Sequence, residues 1–116
     1  DEPTTGLHSH DIKKLLEILH PSPAVCGFPK EPATKWIDTL ENFPRNNYAS
    51  PIGSVDSNGN AHFIVAIRGV RNIGNRLEFT AGAGLINDSD CETEVEEIKI
   101  KFEVLAYPIL RSKINQ

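Results

Sequence analysis

The sequence predicts an α+β fold on three observations: apolar residues at helical spacing near both ends of the chain, β-rich runs in the middle, and two tight-turn signatures dividing those runs. Two helices precede a three-stranded antiparallel meander, and a third helix closes the chain. Ile12, Leu15, Leu16 and Leu19 recur at i, i+3, i+4 and i+7 behind Ser9 or His10 as a cap, the pattern of a short amphipathic helix. Pro21 and Pro23 remove backbone donors and disfavour helical geometry in the residues before them. This helix therefore stops by His20, and an extended loop is expected through Pro29. From Glu31 the pattern turns helical again, with Pro32 in the tolerated first turn and Ala33, Trp36, Ile37 and Leu40 on one face. The second helix ends before Pro44, and Arg45-Asn46-Asn47 turns the chain into the first strand.

The strands are expected at 48–55, 61–70 and 76–85, each rich in β-branched or aromatic residues. Asn58-Gly59 and Gly74-Asn75 lie between them, and such pairs readily take the positive φ that hairpin turns demand. Asp88-Ser89-Asp90 then offers an N-cap and negative charge to a last helix starting at Glu92, with Val95, Ile98, Phe102 and Leu105 on one stripe. Pro108 predicts that this helix kinks or finishes near Ala106. Neither an internal repeat nor a low-complexity stretch interrupts the order.

Bulk properties narrow the function. At 116 residues, with 39% apolar residues including one Trp, five Phe and two Tyr, the chain is sized for one domain with a modest core. It is small for an enzyme that must enclose a polar substrate. The net charge of −4 and the scattered Lys and Arg residues argue against nucleic acid as a partner. No apolar run approaches the roughly 18 residues of a membrane span, and residues 1–10 lack the basic start and apolar middle of a secretory signal, so no membrane partner is expected. Cys26 and Cys91 lie far apart with no second cysteine beside either, which favours two free thiols and a cytoplasmic setting. The chain has no Met and begins with Asp1, so further sequence is expected upstream.

Several groups can carry chemistry. Glu94, Glu97 and Lys101 share one face of the last helix, and two carboxylates there supply half a site for a hard divalent ion such as Mg2+. The same spacing equally describes a solvated face with Glu-to-Lys pairs. Arg68 closes the apolar run 63–67, where a guanidinium either receives a carboxylate bidentately or pairs with a structural acid. Gly82 and Gly84 alternate at the end of the third strand, open to close backbone approach by an anion or marking a bulge. They match neither a phosphate loop nor GxGxxG. His20 is a candidate base or ligand and, equally, a loop hydrogen-bonder, whereas His8 and His10 read as surface residues.

Five blocks together resemble the isochorismate synthases. Leu19-His20-Pro21-Ser22-Pro23-Ala24-Val25-Cys26-Gly27-Phe28-Pro29 is similar to their LHPTPAV-G-P signature, and Tyr48-Ala49-Ser50-Pro51-Ile52-Gly53 to their YAGPVG strand. Val65-Ala66-Ile67-Arg68 resembles VAIR, Ala81-Gly82-Ala83-Gly84-Leu85-Ile86 resembles AGAGIV, and the segment 89–101 resembles SDPEAEWEETELKL. The blocks keep the family's order from Leu7 to Leu105. Ser50 stands where Gly is common, Ser54 where Trp is, Cys91 where Pro is frequent and Ile98 where Thr is.

The resemblance implies roles for the groups above. Glu97 would bind Mg2+ directly and Glu94 directly or through water, with the metal gripping the ring carboxylate of chorismate. Lys101, Arg68, Tyr48 and the Gly82 backbone would hold the substrate's carboxylates. Ala24 would favour isochorismate synthases over salicylate and anthranilate synthases, which tend to carry Thr there. The implied reaction exchanges the C4 hydroxyl of chorismate for a hydroxyl from water at C2. Its lysine base, its glutamic acid and another metal-binding glutamate would lie upstream, so no catalytic residue is expected within 1–116 and the chain alone is expected to be inactive. It would be the C-terminal portion of a chorismate-binding catalytic domain, one section of a larger α/β sandwich, and self-association through the surface left uncovered is expected. The alternatives are a salicylate- or anthranilate-type chorismate enzyme and a non-catalytic anion-binding module.

Overall fold

The computed structural model describes residues 9–114. The architecture is α+β, in the order α1 (Ser9–Leu19), α2 (Pro23–Cys26), α3 (Lys30–Leu40), β1 (Pro51–Val55), β2 (Ala61–Val65), β3 (Val70–Ile73), β4 (Arg76–Phe79) and α4 (Cys91–Ile114). The chain packs as two compact units, Asp1–Ala66 and Ile67–Gln116, and each strand pairs with its sequence neighbour in the same unit. His8 lies outside the described residues.

In the first unit the apolar stripe of α1 is present but partly covered: Ile12 is buried and Leu16 half-buried, while Leu15 and Leu19 are exposed. The segment expected to be an extended loop contains a helical turn, α2. Pro23 takes its first position, where a missing N–H costs nothing, and the Cys26 and Gly27 amides donate to the Ser22 and Pro23 carbonyls at 3.1 and 2.9 Å. Gly27, at φ +88°, ends it. On α3, Ala33 and Ile37 are half-buried while Trp36 and Leu40 are exposed. Pro29, in extended geometry, precedes that helix, and Glu41 caps its end by donating its amide to the Ile37 carbonyl at 2.9 Å.

β1 and β2 form an antiparallel hairpin in the register Pro51↔Val65 through Val55↔Ala61. Its turn is organised by Asp56, whose carboxylate accepts the amides of Asn58 at 2.8 Å and Asn60 at 3.0 Å. At the open end the ladder continues beyond the strands, with Ala49 N–H donating to the Ala66 carbonyl and Ala66 N–H to the Ser50 carbonyl, both at 2.8 Å. Ile12, Cys26 and Ala49 are the buried apolar residues among those described, a small core for this length.

From the end of β2 onward the structure corrects several expectations. The strand predicted over 61–70 breaks at Val65, and the chain restarts as β3 at Val70; between them Arg68 adopts φ +53°, a left-handed geometry that no continuous strand accommodates. The meander is therefore replaced by two separate two-stranded sheets, β1-β2 and β3-β4. β4 also ends at Phe79 rather than continuing to 85, so the Ala81 to Gly84 segment is irregular backbone. Helix α4 does not finish near Ala106 but runs 24 residues through Pro108. Proline's fixed φ suits a helix, and the carbonyl it leaves without a helical donor belongs to Val104, an exposed residue. No helix among the described residues is long and apolar enough to cross a membrane.

Candidate functional site

Helix α4 begins where the sequence places its cap. The Asp90 carboxylate accepts the Thr93 amide and the Thr93 hydroxyl, each at 2.9 Å, and the Glu94 amide donates to the Asp90 carbonyl at 3.0 Å. The Thr93 amide first, then its hydroxyl, hold the Asp90 carboxyl below the usual value. On this helix Glu94, Glu97 and Lys101, at i, i+3 and i+7, share a face. Glu94 is half-buried and Glu97 exposed.

Lys101 is the organising cation of this unit. Its Nζ donates to the Gly82 carbonyl at 2.8 Å across 19 positions of chain and forms an ion pair with Glu97 one turn back. The lysine side chain retains 22% of its exposure, against 51% for Glu97. An ammonium held in that half-covered position loses less hydration on meeting an anion than a fully solvated lysine would. Gly82, Lys101 and Glu97 are thus brought together. Glu94 lies one turn before Glu97 on the same helix, and two carboxylates at this spacing are the hard oxygen donors that Mg2+ accepts, though they fill only part of a coordination shell. No group of three or more His, Cys, Asp or Glu side chains gathers among the described residues.

Arg68, in the same unit, is exposed and carries the left-handed φ noted above. Such geometry costs a non-glycine residue about 1–3 kcal/mol and is concentrated at ligand-binding positions.

The remaining sequence-derived residues belong to the first unit. Ala24 lies on α2 and is exposed; Tyr48 is half-buried in the turn before β1, followed by Ala49 at φ +64°. His20 is half-buried, and its backbone carbonyl accepts from Lys30 Nζ at 2.9 Å. Cys26 and Cys91 are free thiols, the first buried and the second exposed, as expected.

The sequence reading missed Arg45, which it took as part of a turn. Arg45 Nε donates to Glu41 Oε2 at 2.7 Å, Nη2 donates to Glu41 Oε1, and Nη1 donates to the Val25 carbonyl at 3.0 Å. Its Cζ lies 5.7 Å from the centre of the Tyr48 ring. The hydrogen bond to Glu41 raises the Arg45 pKa, outweighing the opposing effect of burial. The i, i+4 spacing of Glu41 and Arg45 was the available signal. It was obscured because Pro44 ends the helical pattern between them.

The family of chorismate binding enzymes matches residues 4–109. The chain belongs to this family. Its relatives include the isochorismate synthase MenF of Bacillus subtilis, 42% identical over 95 residues that make up 82% of this chain and 20% of that protein. The vibriobactin-specific isochorismate synthase of Vibrio cholerae is 38% identical over 75% of this chain and 22% of its own length. Anthranilate synthase component 1 of Saccharolobus solfataricus is 37% identical over 83% of this chain and 23% of its own length. The chain thus spans about a fifth of the length of the curated relatives it matches. No solved structure matches it. Identity alone separates synthases of isochorismate from those of anthranilate by only a few per cent, so residues at the site must carry the distinction.

Proposed function

We propose that this chain is the C-terminal portion of the catalytic domain of an isochorismate synthase, and that the whole protein converts chorismate to isochorismate with Mg2+. The observation that carries the reading is the Lys101 ammonium held between the Gly82 carbonyl and Glu97 on a helix that also presents Glu94. Chorismate is a dianion, so its site needs cationic or N–H donors for two carboxylates. Lys101, Arg68, Tyr48 and the Gly82 backbone supply them in this reading. Glu97 and, directly or through water, Glu94 would hold Mg2+, which when bound offsets the negative charge of the substrate's ring carboxylate.

In the reaction, a water oxygen bonds to C2, both ring double bonds shift by one position (C1=C2 to C1=C6 and C5=C6 to C4=C5), and the C4–O bond breaks with protonation to release the hydroxyl as water. The base that takes the attacking water's proton and the acid that protonates the leaving hydroxyl belong to segments outside residues 1–116. Ala24 favours isochorismate formation over pyruvate-expelling chemistry, since a methyl group leaves room for water and offers no hydroxyl of its own. The free thiols support a cytoplasmic setting. Isochorismate is a starting compound for menaquinone and for siderophores alike, and the site chemistry is common to both.

The test is time-resolved proton NMR of chorismate with Mg2+ and the longest protein that the gene encodes. Isochorismate accumulating without pyruvate is expected. Pyruvate with an aromatic product would replace this reading by a salicylate- or anthranilate-type activity, and binding without turnover by a non-catalytic module. The 116-residue chain alone is further proposed to self-associate through exposed apolar residues such as Trp36, Leu40, Val104 and Leu110. A strict monomer in sedimentation at high concentration would exclude that.

A further inference from the structure

Arg45 joins the segment bearing Ala24 to Tyr48. Its guanidinium is committed on three sides: both Glu41 carboxylate oxygens receive it, the Val25 carbonyl accepts Nη1 at 3.0 Å, and the Tyr48 ring lies 5.7 Å from Cζ. Its own carbonyl accepts the Tyr48 amide at 2.9 Å, so backbone and side chain hold the same residue. Glu41 is itself anchored as the C-cap of α3. Both partners of the ion pair are more than two-thirds covered, with side-chain exposures of 27% and 29%, so the pair is less screened than the surface pairs of α1 and α4. Val25 directly follows Ala24, and Cys26 after it is buried with its Sγ 3.7 Å from the Pro21 carbonyl. Whatever loosens the Val25 carbonyl therefore moves Ala24 and uncovers Cys26 together.

We propose that Arg45 is a positioning residue, which fixes Ala24 relative to Tyr48 so that both meet the same substrate. The inference rests on the assignment of Ala24 and Tyr48 to the chorismate site. A planar fork is required: lysine at 45 keeps the charge but cannot satisfy both Glu41 oxygens and the Val25 carbonyl at once.

Two measurements test this. In the 116-residue chain, reaction of the two cysteines with an aromatic disulfide reagent compares buried Cys26 with exposed Cys91 as the internal standard. Cys26 should react at least about tenfold more slowly than Cys91 in the wild type, and Arg45→Lys should remove most of that difference, with Glu41→Gln as the milder variant should Arg45→Lys fail to fold. In the longest gene product, the same variants should raise the KM for chorismate by roughly tenfold while kcat changes less, the pattern of lost substrate positioning rather than lost chemistry. Unprotected Cys26 with unchanged KM would overturn the proposal, leaving a structural pin, and unchanged Cys26 reactivity would overturn it at the level of geometry. Wild-type protein that neither binds nor turns over chorismate would instead refute the functional reading and with it the positioning role, while the Cys26 rates would still decide whether Arg45 fastens the Val25 segment.

Discussion

Replacing Gly53 by alanine probes the hairpin that carries Tyr48. Gly53 pairs with Phe63 in the β1–β2 register, and a Cβ added there would meet the His62 carbonyl oxygen, with Phe63 Cα and Cδ1 both at 2.7 Å. Carbon atoms separate comfortably at about 3.5–4.0 Å. The phenyl ring can rotate away, but the His62 carbonyl and Phe63 Cα are backbone and can yield only if the strands part. Forced overpacking of this kind costs about 1–3 kcal/mol, and each ladder hydrogen bond disrupted adds roughly 0.5–1.5 kcal/mol. A loss of about 2–4 kcal/mol is expected, which for a chain of this size lowers Tm by more than about 8 °C. The open end of the same hairpin, Ala49 to Ala66 and Ala66 to Ser50, adjoins Tyr48, so chorismate affinity in the longest gene product should fall with stability. Thermal unfolding followed by circular dichroism measures the first effect. Gly69→Ala is the matched control, because nothing lies within 4 Å of its added Cβ; it should be neutral or slightly stabilising. If Gly53→Ala stayed within about 0.5 kcal/mol of the Gly69→Ala variant, the steric reasoning would be wrong.

Other consequences are direct. Ala49 is buried at φ +64°, where a β-branched side chain is an outlier, so Ala49→Val should destabilise the first unit by about 2 kcal/mol or more, read by urea unfolding. The folded-state pKa of Asp90 is depressed, so its contribution to the start of α4 is present above the ordinary carboxyl value of 3.8 and is lost as pH falls through the lower folded value. Helicity at low pH should show this loss in the wild type, and Asp90→Asn, which cannot titrate, should flatten it. The 116-residue chain by itself should give no detectable chorismate turnover, since a positioned acid and base typically contribute about 10²–10⁴-fold each. Clear turnover by a pure sample would place base and acid within these residues.

Periodicity alone located α1, α3 and the start of α4, because a helix closes its hydrogen bonds within a few residues and advertises its covered face every three or four positions. Turn chemistry likewise marked both hairpins: Asn58-Gly59 and Gly74-Asn75 sit where the chain reverses, with Gly59 at φ +81° and Gly74 at φ +59°. The resemblance carried by Leu19 to Pro29, Tyr48 to Gly53 and the α4 glutamates was sufficient to place the chain in its family. Less visible were features decided by partners distant in sequence. Apolar residues from Ala61 to Val70 fit one long strand equally well, and only the left-handed geometry at Arg68 divided it. Lys101 reads in sequence as one member of a Glu-to-Lys pair, yet it also donates to the Gly82 carbonyl, 19 positions away. Arg45 reads as part of a turn, and its link to the Val25 carbonyl, 20 positions back, makes it a clamp. Local hydrogen bonding and burial leave a periodic trace that sequence preserves, so the sequence by itself determined α1, α3, the start of α4, the two hairpin turns and the family, but neither the α2 turn nor the passage of α4 through Pro108. A side chain's choice among distant carbonyls leaves no such trace, because it is set by which backbone groups the packed chain brings within about 3 Å, and that only the tertiary structure decided.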